Sequence, residues 1–232
     1  SPSSAASDVY KRQMIDCAEK EVTVIDRTES AQSVVEIIKL SESPMSAVGV
    51  EAFAEGSAEA LPEKPLKIEF IGDSITCGYG VDDEDENHQF TTATEDVTKA
   101  YAYKTAKALD AEYSMFSASG YGIVSGYTEG DEPISEQTIP QFYCSYGFSR
   151  GDFAGTAPQD IPWDFSKYIP QIIVINLGTN DDSYCRDHKD RQAVFSKLYA
   201  DFLAVVREKN PQAYILCTVG IMGERIFPAV AE

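Results

Sequence analysis

The segment Ile172–Leu177, which reads IIVINL, is almost continuously apolar and rich in β-branched residues. Such a run predicts a strand that is covered on both faces, as in a parallel sheet. Further patterns alternate strand with helix: Leu66–Ile71 (strand), Lys99–Asp110 (helix), Tyr113–Ala118 (strand), Lys189–Lys209 (helix) and Ala213–Val219 (strand). Alternation of this kind predicts right-handed βαβ units and an α/β domain over residues 66–232.

The predicted helix Lys189–Lys209 carries apolar residues at helical spacing. They are expected to share one face and are Val194, Leu198, Phe202, Val205 and Val206. Asn210 and Pro211 end the pattern, because the residue before a proline disfavours helical backbone.

The first 65 residues follow a different pattern. Residues 1–13 are predicted to be an assembly scar or a disordered terminus, since Asp8–Gln13 reads as a translated transposon-end sequencing adapter. Residues 14–54 are predicted to be the end of a β-domain, with strand-like segments at 21–27, 34–40 and 47–53. Residues 55–65, rich in small residues and proline, are predicted to be a linker.

Composition excludes several classes of partner. The 232 residues include 38 acidic and 19 basic side chains, a formal charge of −19, which disfavours nucleic acid and anionic membrane surfaces. No apolar run approaches the roughly 20 residues that span a bilayer. Five scattered cysteines without a C-x-x-C pair indicate neither a zinc site nor a dense disulfide framework. We therefore expect no metal, no cofactor and a monomer.

Suggestive residues follow three of the predicted strands, where parallel sheets place their active sites. The first group is Gly72-Asp73-Ser74, in which a serine begins a helix beside its positive end. The second contains Ser119-Gly120, whose glycine N–H could face a developing oxyanion. The third is Gly178-Thr179-Asn180-Asp181, in which the Asn180 amide could donate to the same oxyanion.

Each group also has a plain structural interpretation. Ser74 could be a helix cap, Gly120 an ordinary turn glycine, and Asn180 and Asp181 turn formers. What favours the catalytic interpretation is the order of the three groups, each after a predicted strand.

The three groups in this order resemble the first three blocks of the SGNH (GDSL-type) hydrolases. More narrowly, IEFIGDSITCGYG, FTTATED at 90–96, Ser119–Gly122 and INLGTNDDS resemble carbohydrate esterase family 2. That resemblance implies a three-layer SGNH domain preceded by the last strands of a β jelly roll. It also implies an extracellular serine esterase that deacetylates xylan-type carbohydrates, with Ser74 as nucleophile, Gly120 and Asn180 in the oxyanion hole, and Asp73 supporting the turn.

The resemblance fails at the base that a serine nucleophile needs. The family takes this base from an Asp-x-x-His block after the last strand, which this chain lacks. The missing block and the partial β-domain at 14–54 together lead us to expect that both ends are cut. The two histidines, His88 and His188, are expected to be a solvated loop residue and a surface or capping residue. The catalytic histidine is therefore predicted to be absent from this chain, which should hydrolyse esters poorly.

Two aromatic residues near the motif loops, Tyr121 and Trp163, could stack on a sugar ring, although Trp163 could equally pack in the core. Two alternative functions stay open: an SGNH lipase or thioesterase with a longer acyl substrate, and a carbohydrate-binding protein without catalysis.

Overall fold

Four parallel strands form the central sheet of the chain, in the order β2-β1-β3-β4. Their bounds are Lys67–Gly72 (β1), Glu112–Ser117 (β2), Ile172–Asn176 (β3) and Tyr214–Thr218 (β4). Gly72 lies opposite both Ser117 and Asn176 in the register of the sheet. The loops that follow β1, β2 and β3 therefore leave from one edge, which confirms the predicted α/β class with a parallel sheet.

The computed structural model describes residues 23, 32–46, 48–50, 52, 58–152 and 155–231. The chain divides into two compact units, Ser1–Ile38 and Lys39–Glu232. In the first unit the described residues, 23 and 32–38, contain neither helix nor strand. No helix in the described ranges is long and apolar enough to cross a membrane.

Helices cover both faces of the sheet in the second unit. They are α1 (Ser74–Cys77), α2 (Tyr101–Ala108), α3 (Thr179–Cys185), α4 (Lys189–Lys209) and α5 (Phe227–Ala231). On one face, Ala102 and Ala106 of α2 pack with Ile68 and Phe70 of β1. Because side chains alternate along a strand, Ile71, Ile173 and Ile175 point to the opposite face, where α4 packs. The result is the three-layer domain that the sequence predicts.

Helix α4 has the predicted bounds, but the predicted buried face is only partly right. Phe195, Tyr199, Phe202 and Val206 are the large side chains that it buries. Val194, Leu198 and Val205 are instead 50%, 38% and 36% exposed. Apolar residues form two adjacent stripes along this helix, and helical spacing alone does not decide which one is buried. The stripe with the larger aromatic side chains packs on the sheet, because the free energy gained on burial increases with the apolar area buried.

The strand predicted at 34–40 does not form. Val34, Val35 and Ile37 are 71%, 40% and 52% exposed, and no described strand pairs with them. A strand needs a neighbour for its backbone hydrogen bonds, so β-branched composition alone did not suffice. Residues 48–50 and 52 of the predicted strand at 47–53 are also not in a strand. The segment 21–27 lies outside the described residues except for Thr23, so the jelly-roll remnant stays a prediction.

A short segment ahead of the predicted linker belongs to the second unit. The Leu40 carbonyl accepts a hydrogen bond from the Val97 N–H at 3.2 Å, and the Pro44 carbonyl accepts one from Arg150 at 3.3 Å. Val97 begins a short 3-10 helix, Val97–Lys99, and Arg150 lies in a loop, both within the second unit. Residues 39–46 are therefore part of the structure that surrounds the edge of the sheet.

Candidate active site

Ser74 is the first residue of α1, directly beyond the carboxyl end of β1. Asp73 caps this helix: its Oδ1 accepts the Ile75 N–H at 3.0 Å, and its carbonyl accepts the N–H groups of Thr76 and Cys77 at 3.0 Å each. A Cβ at Gly72 would lie 2.0 Å from the Thr76 hydroxyl oxygen, so only glycine allows the chain to turn this tightly here. The half-buried Ser74 is thus held by a short, well-capped turn.

The Asp73 side chain is completely buried. Burial raises the pKa of Asp73 to about 7, and the nearby negative charge of Asp181 adds to this, while the Ile75 N–H opposes it. Its second oxygen, Oδ2, accepts no hydrogen bond from the described residues. This geometry accords with the predicted supporting role of Asp73 in the turn, which stays a prediction.

The loop after β2 carries Gly120 in the left-handed region, at φ +82°. Its carbonyl accepts the Tyr127 N–H at 2.8 Å. Its own N–H donates to no described residue, and the same is true of the Ser74 N–H. Neither N–H group therefore has an acceptor within the described part of the chain.

Asn180 is the second residue of α3 and is 6% exposed. Its Nδ2 donates to the Tyr121 carbonyl at 2.8 Å, which joins the loop after β3 to the loop after β2. An amide nitrogen carries two hydrogens, and the second has no acceptor in the described part of the chain. This hydrogen bond thus ties Asn180, at the start of α3, to the loop that carries Gly120.

Asp181 is more than the turn former that the sequence predicts, because it supports the loop after β2. It is fully buried, and its carboxylate accepts the N–H groups of Ile123, Val124 and Ser125 at 2.6–3.1 Å. Burial raises the pKa of Asp181 to about 6, although these backbone donors lower it. The sequence feature that could have identified Asp181 is its position close after a strand expected to be buried. A carboxylate that is buried there must accept hydrogen bonds to offset the loss of its hydration.

Neither histidine contacts the Ser74 hydroxyl. His88 is 63% exposed and its Nδ1 lies 2.8 Å from Asp83 Oδ1. His188 directly precedes α4 and is exposed. Both positions agree with the expectation of a solvated loop residue and a residue at a helix start. Within the described ranges, Ser74 has no imidazole partner.

The two predicted sugar-binding aromatics lie in different surroundings. Tyr121 packs against Phe148 and Phe142, with ring centroids 4.7 and 6.3 Å away, and its backbone accepts from Asn180. Trp163 instead pairs with Tyr146 at 5.7 Å, and its backbone N–H donates to the Cys144 carbonyl at 2.9 Å. The structure therefore brings Tyr121 to the motif loops, whereas no described contact joins Trp163 to them.

One group of side chains in the described residues has ligand atoms close enough to hold a metal ion. It consists of Glu42, Cys77 and Glu95, whose ligand atoms all lie within 4.8 Å of one another. Glu42 already contacts both other members, since its Oε2 lies 3.6 Å from the Cys77 sulfur and its N–H donates to Glu95 at 3.1 Å.

Comparison with known proteins identifies esterases among the relatives of this chain. The chain is 37% identical over 187 residues to a cellulase/esterase, CelE, of Acetivibrio thermocellus, covering 79% of this chain and 21% of that one. It is 32% identical over 212 residues to an acetylxylan esterase / glucomannan deacetylase of Cellvibrio japonicus, covering 89% and 54%. The chain thus spans about a fifth and about half of the lengths of these two relatives.

Solved structures agree with these relatives. A family two carbohydrate esterase from Clostridium thermocellum, in complex with cellohexaose, superposes with a TM-score of 0.59 at 33% identity, covering 75% of this chain and 49% of that one. The family described as GDSL-like Lipase/Acylhydrolase matches residues 70–231, which include all three motif loops. The chain therefore belongs to the GDSL-like lipase/acylhydrolase family, and the relatives described above show that it is similar to carbohydrate esterases of family two.

Proposed function

We propose that the protein is a serine esterase that removes acetyl groups from polysaccharides or oligosaccharides through an acyl-enzyme on Ser74. The observation that carries this proposal is the set of three free donors on adjacent loops: the N–H of Ser74, the N–H of Gly120 and the second N–H of the Asn180 amide. They belong to the loops that leave one edge of the sheet, and the Asn180–Tyr121 hydrogen bond fixes two of them together.

Ser74 Oγ bonds to the acetyl carbon while its proton passes to solvent, which later returns a proton to the leaving sugar, and the carbonyl oxygen becomes the oxyanion of a tetrahedral intermediate. The three donors stabilise this oxyanion more than the ground-state carbonyl, and each can be worth about 3 kcal/mol. Collapse expels the sugar alkoxide, which is protonated as it leaves. Water then attacks the acetyl-Ser74 ester and releases acetate.

The proton acceptor for Ser74 is neither His88 nor His188, because neither contacts the hydroxyl. We therefore expect slow turnover by this chain. Acetyl transfer to Ser74 should still be detectable with an activated ester, since a good leaving group lowers the demand for general acid and base catalysis.

The names of the relatives support an acetylated carbohydrate as the substrate class, and the charge of −19 does not repel a neutral glycan. A polysaccharide substrate supports an extracellular or cell-surface role, because a polymer does not enter a cell intact. The family description, which includes lipases, supports the alternative of a longer acyl group.

The proposal is tested by acetate release from acetylated xylan and by mass spectrometry of the chain after reaction with p-nitrophenyl acetate. We expect one added acetyl group on Ser74 and none in Ser74→Ala. Ser166→Ala, which alters an exposed serine bonded to Asp164, is the matched control and should label like the wild type. A preference for p-nitrophenyl octanoate would favour the lipase alternative.

A non-catalytic carbohydrate-binding function is the second candidate, because the structure of a relative contains cellohexaose. It predicts binding of cellohexaose that Ser74→Ala leaves unchanged, together with an unlabelled Ser74. Binding without labelling would replace the esterase proposal.

A further inference from the structure

A single carboxylate oxygen connects the helix that carries Ser74 to the loop that carries Gly120. Glu42 Oε2 accepts the Ser119 N–H at 2.6 Å and lies 3.6 Å from the Cys77 sulfur. Cys77 is the last residue of α1, and Ser119 directly precedes Gly120. Glu42 itself is 7% exposed and comes from the segment 39–46, outside the residues 70–231 that the family match covers.

The contact restrains the peptide group that carries the Gly120 N–H. On its N-terminal side, Glu42 holds the N–H of Ser119. On its C-terminal side, the Tyr127 N–H holds the carbonyl of Gly120 at 2.8 Å. The peptide groups on either side of the Gly120 N–H are therefore each held by a hydrogen bond, which limits the movement of this part of the loop.

The buried Cys77 thiol and Glu95 belong to the same network of side chains as Glu42. Burial raises the pKa of the Cys77 thiol well above its usual value, and the charge of Glu42 adds to this. The Cys77 sulfur lies near two possible acceptors, Ser117 Oγ at 3.2 Å and Glu42 Oε2 at 3.6 Å. Glu95, 3% exposed, completes the network by accepting the Glu42 N–H at 3.1 Å.

The network is unfavourable for stability. Glu42 Oε1 and Glu95 Oε1 are both buried and accept no hydrogen bond from the described residues. Buried carboxylates with unused acceptor sites cost free energy of folding, so a positioning role is a better reason for Glu42 than stability.

We propose that Glu42 is a positioning residue, which fixes the oxyanion loop against the nucleophile helix so that the Gly120 N–H and Ser74 face the same reacting carbonyl. This proposal rests on the esterase function proposed above. Glu42 touches no substrate and acts through Ser119.

The test compares Glu42→Ala and Glu42→Gln with a matched pair, Glu69→Ala and Glu69→Gln. Glu69 is 8% exposed and accepts a hydrogen bond from Tyr143 at 3.0 Å, away from the motif loops. The readouts are the ¹H and ¹⁵N amide shifts of Ser119 and Gly120, kcat and KM for p-nitrophenyl acetate, and Tm.

In Glu42→Ala we expect the Ser119 amide proton to move upfield and kcat to fall about 10- to 100-fold, with KM within about twofold, because oxyanion contacts act in the transition state. Glu42→Gln retains a hydrogen-bond acceptor, so most of the wild-type Ser119 amide shift and most of kcat should be kept. Its Tm should not be lower than that of the wild type. The Glu69 pair should leave the two amides and kcat unchanged, whatever happens to Tm.

An equal loss of kcat in Glu69→Ala, or an unchanged kcat in a folded Glu42→Ala, would overturn the proposal. The amide shifts do not depend on turnover, so they separate this proposal from the proposed function. If Ser74 proves inactive, Ser119 and Gly120 resonances that stay in place in Glu42→Ala still overturn the positioning role, and resonances that move support it.

Discussion

The side-chain amide of Asn180 donates a hydrogen bond to the backbone carbonyl of Tyr121 at 2.8 Å. The two residues are 59 positions apart in the chain, and they meet because β2 and β3 both lie beside β1 in the sheet. Their contact ties the loop that carries Gly120 to α3, and it is one of the contacts on which the proposed oxyanion hole depends.

Replacement of Asn180 should affect rate more than stability. Asn180→Ala removes one proposed oxyanion donor and the link to Tyr121, so we expect kcat for p-nitrophenyl acetate to fall about 100-fold or more. Asn210→Ala is a matched control, because Asn210 is also 6% exposed and its amide donates to Tyr143 and to the Val206 carbonyl. It should lower Tm and keep kcat; a similar loss of rate in both variants would contradict the role of Asn180.

Gly122→Ala should disturb the loop that Asp181 holds. A Cβ at Gly122 would lie 2.2 Å from the Ser125 carbonyl oxygen and 2.5 Å from Asp181 Oδ2, and neither atom belongs to a flexible group that can move aside. We expect a loss of about 1–3 kcal/mol in the free energy of unfolding, measured in urea, together with lower esterase activity. Gly151→Ala, which introduces a Cβ into open space, should change neither.

The buried Glu69 should make the fold less stable as the pH rises. Burial raises the pKa of Glu69 from 4.5 to about 7, while the hydrogen bond from Tyr143 lowers it. Because the folded chain holds this proton more tightly than the unfolded one, the contribution is present below pH 4.5 and is lost as the pH rises through about 7.

Glu69→Gln should therefore reduce the difference in free energy of unfolding between pH 5 and pH 8 by about 2–3 kcal/mol. Chemical denaturation at the two pH values measures this difference. Glu132→Gln, at an exposed loop position, should keep the wild-type slope. An unchanged slope in Glu69→Gln would show that Glu69 is already ionised at pH 5.

Neither histidine should matter for the residual reaction at Ser74. His88 pairs with Asp83 and is 63% exposed, and His188 is exposed at the start of α4. We expect Ser74 in His88→Ala and in His188→Ala to be acetylated by p-nitrophenyl acetate at the wild-type rate. Mass spectrometry of the chain over time measures this rate. Loss of labelling in His188→Ala, equal to that in Ser74→Ala, would identify His188 as the base.

The sequence by itself determined the local elements and the order of the motif loops. Apolar runs placed β1 and β3 within one residue of their observed bounds, and the pattern from Lys189 to Lys209 predicted α4 at its observed bounds. Backbone periodicity and end signals are local, so a single chain segment is sufficient to specify them. The same order of loops was sufficient to place Ser74, Gly120 and Asn180 at one edge of a sheet.

Only the tertiary structure decided what depends on partners far along the chain. The tertiary structure decided which face of α4 is buried and which three backbone N–H groups donate to Asp181. It also decided the contact of Glu42 with Ser119, which lie 77 positions apart in the chain. In the tertiary structure residues 34–40 also form no strand, since no described strand lies beside them. These outcomes follow from sheet order, register and desolvation, which bring distant residues together and which no local pattern encodes.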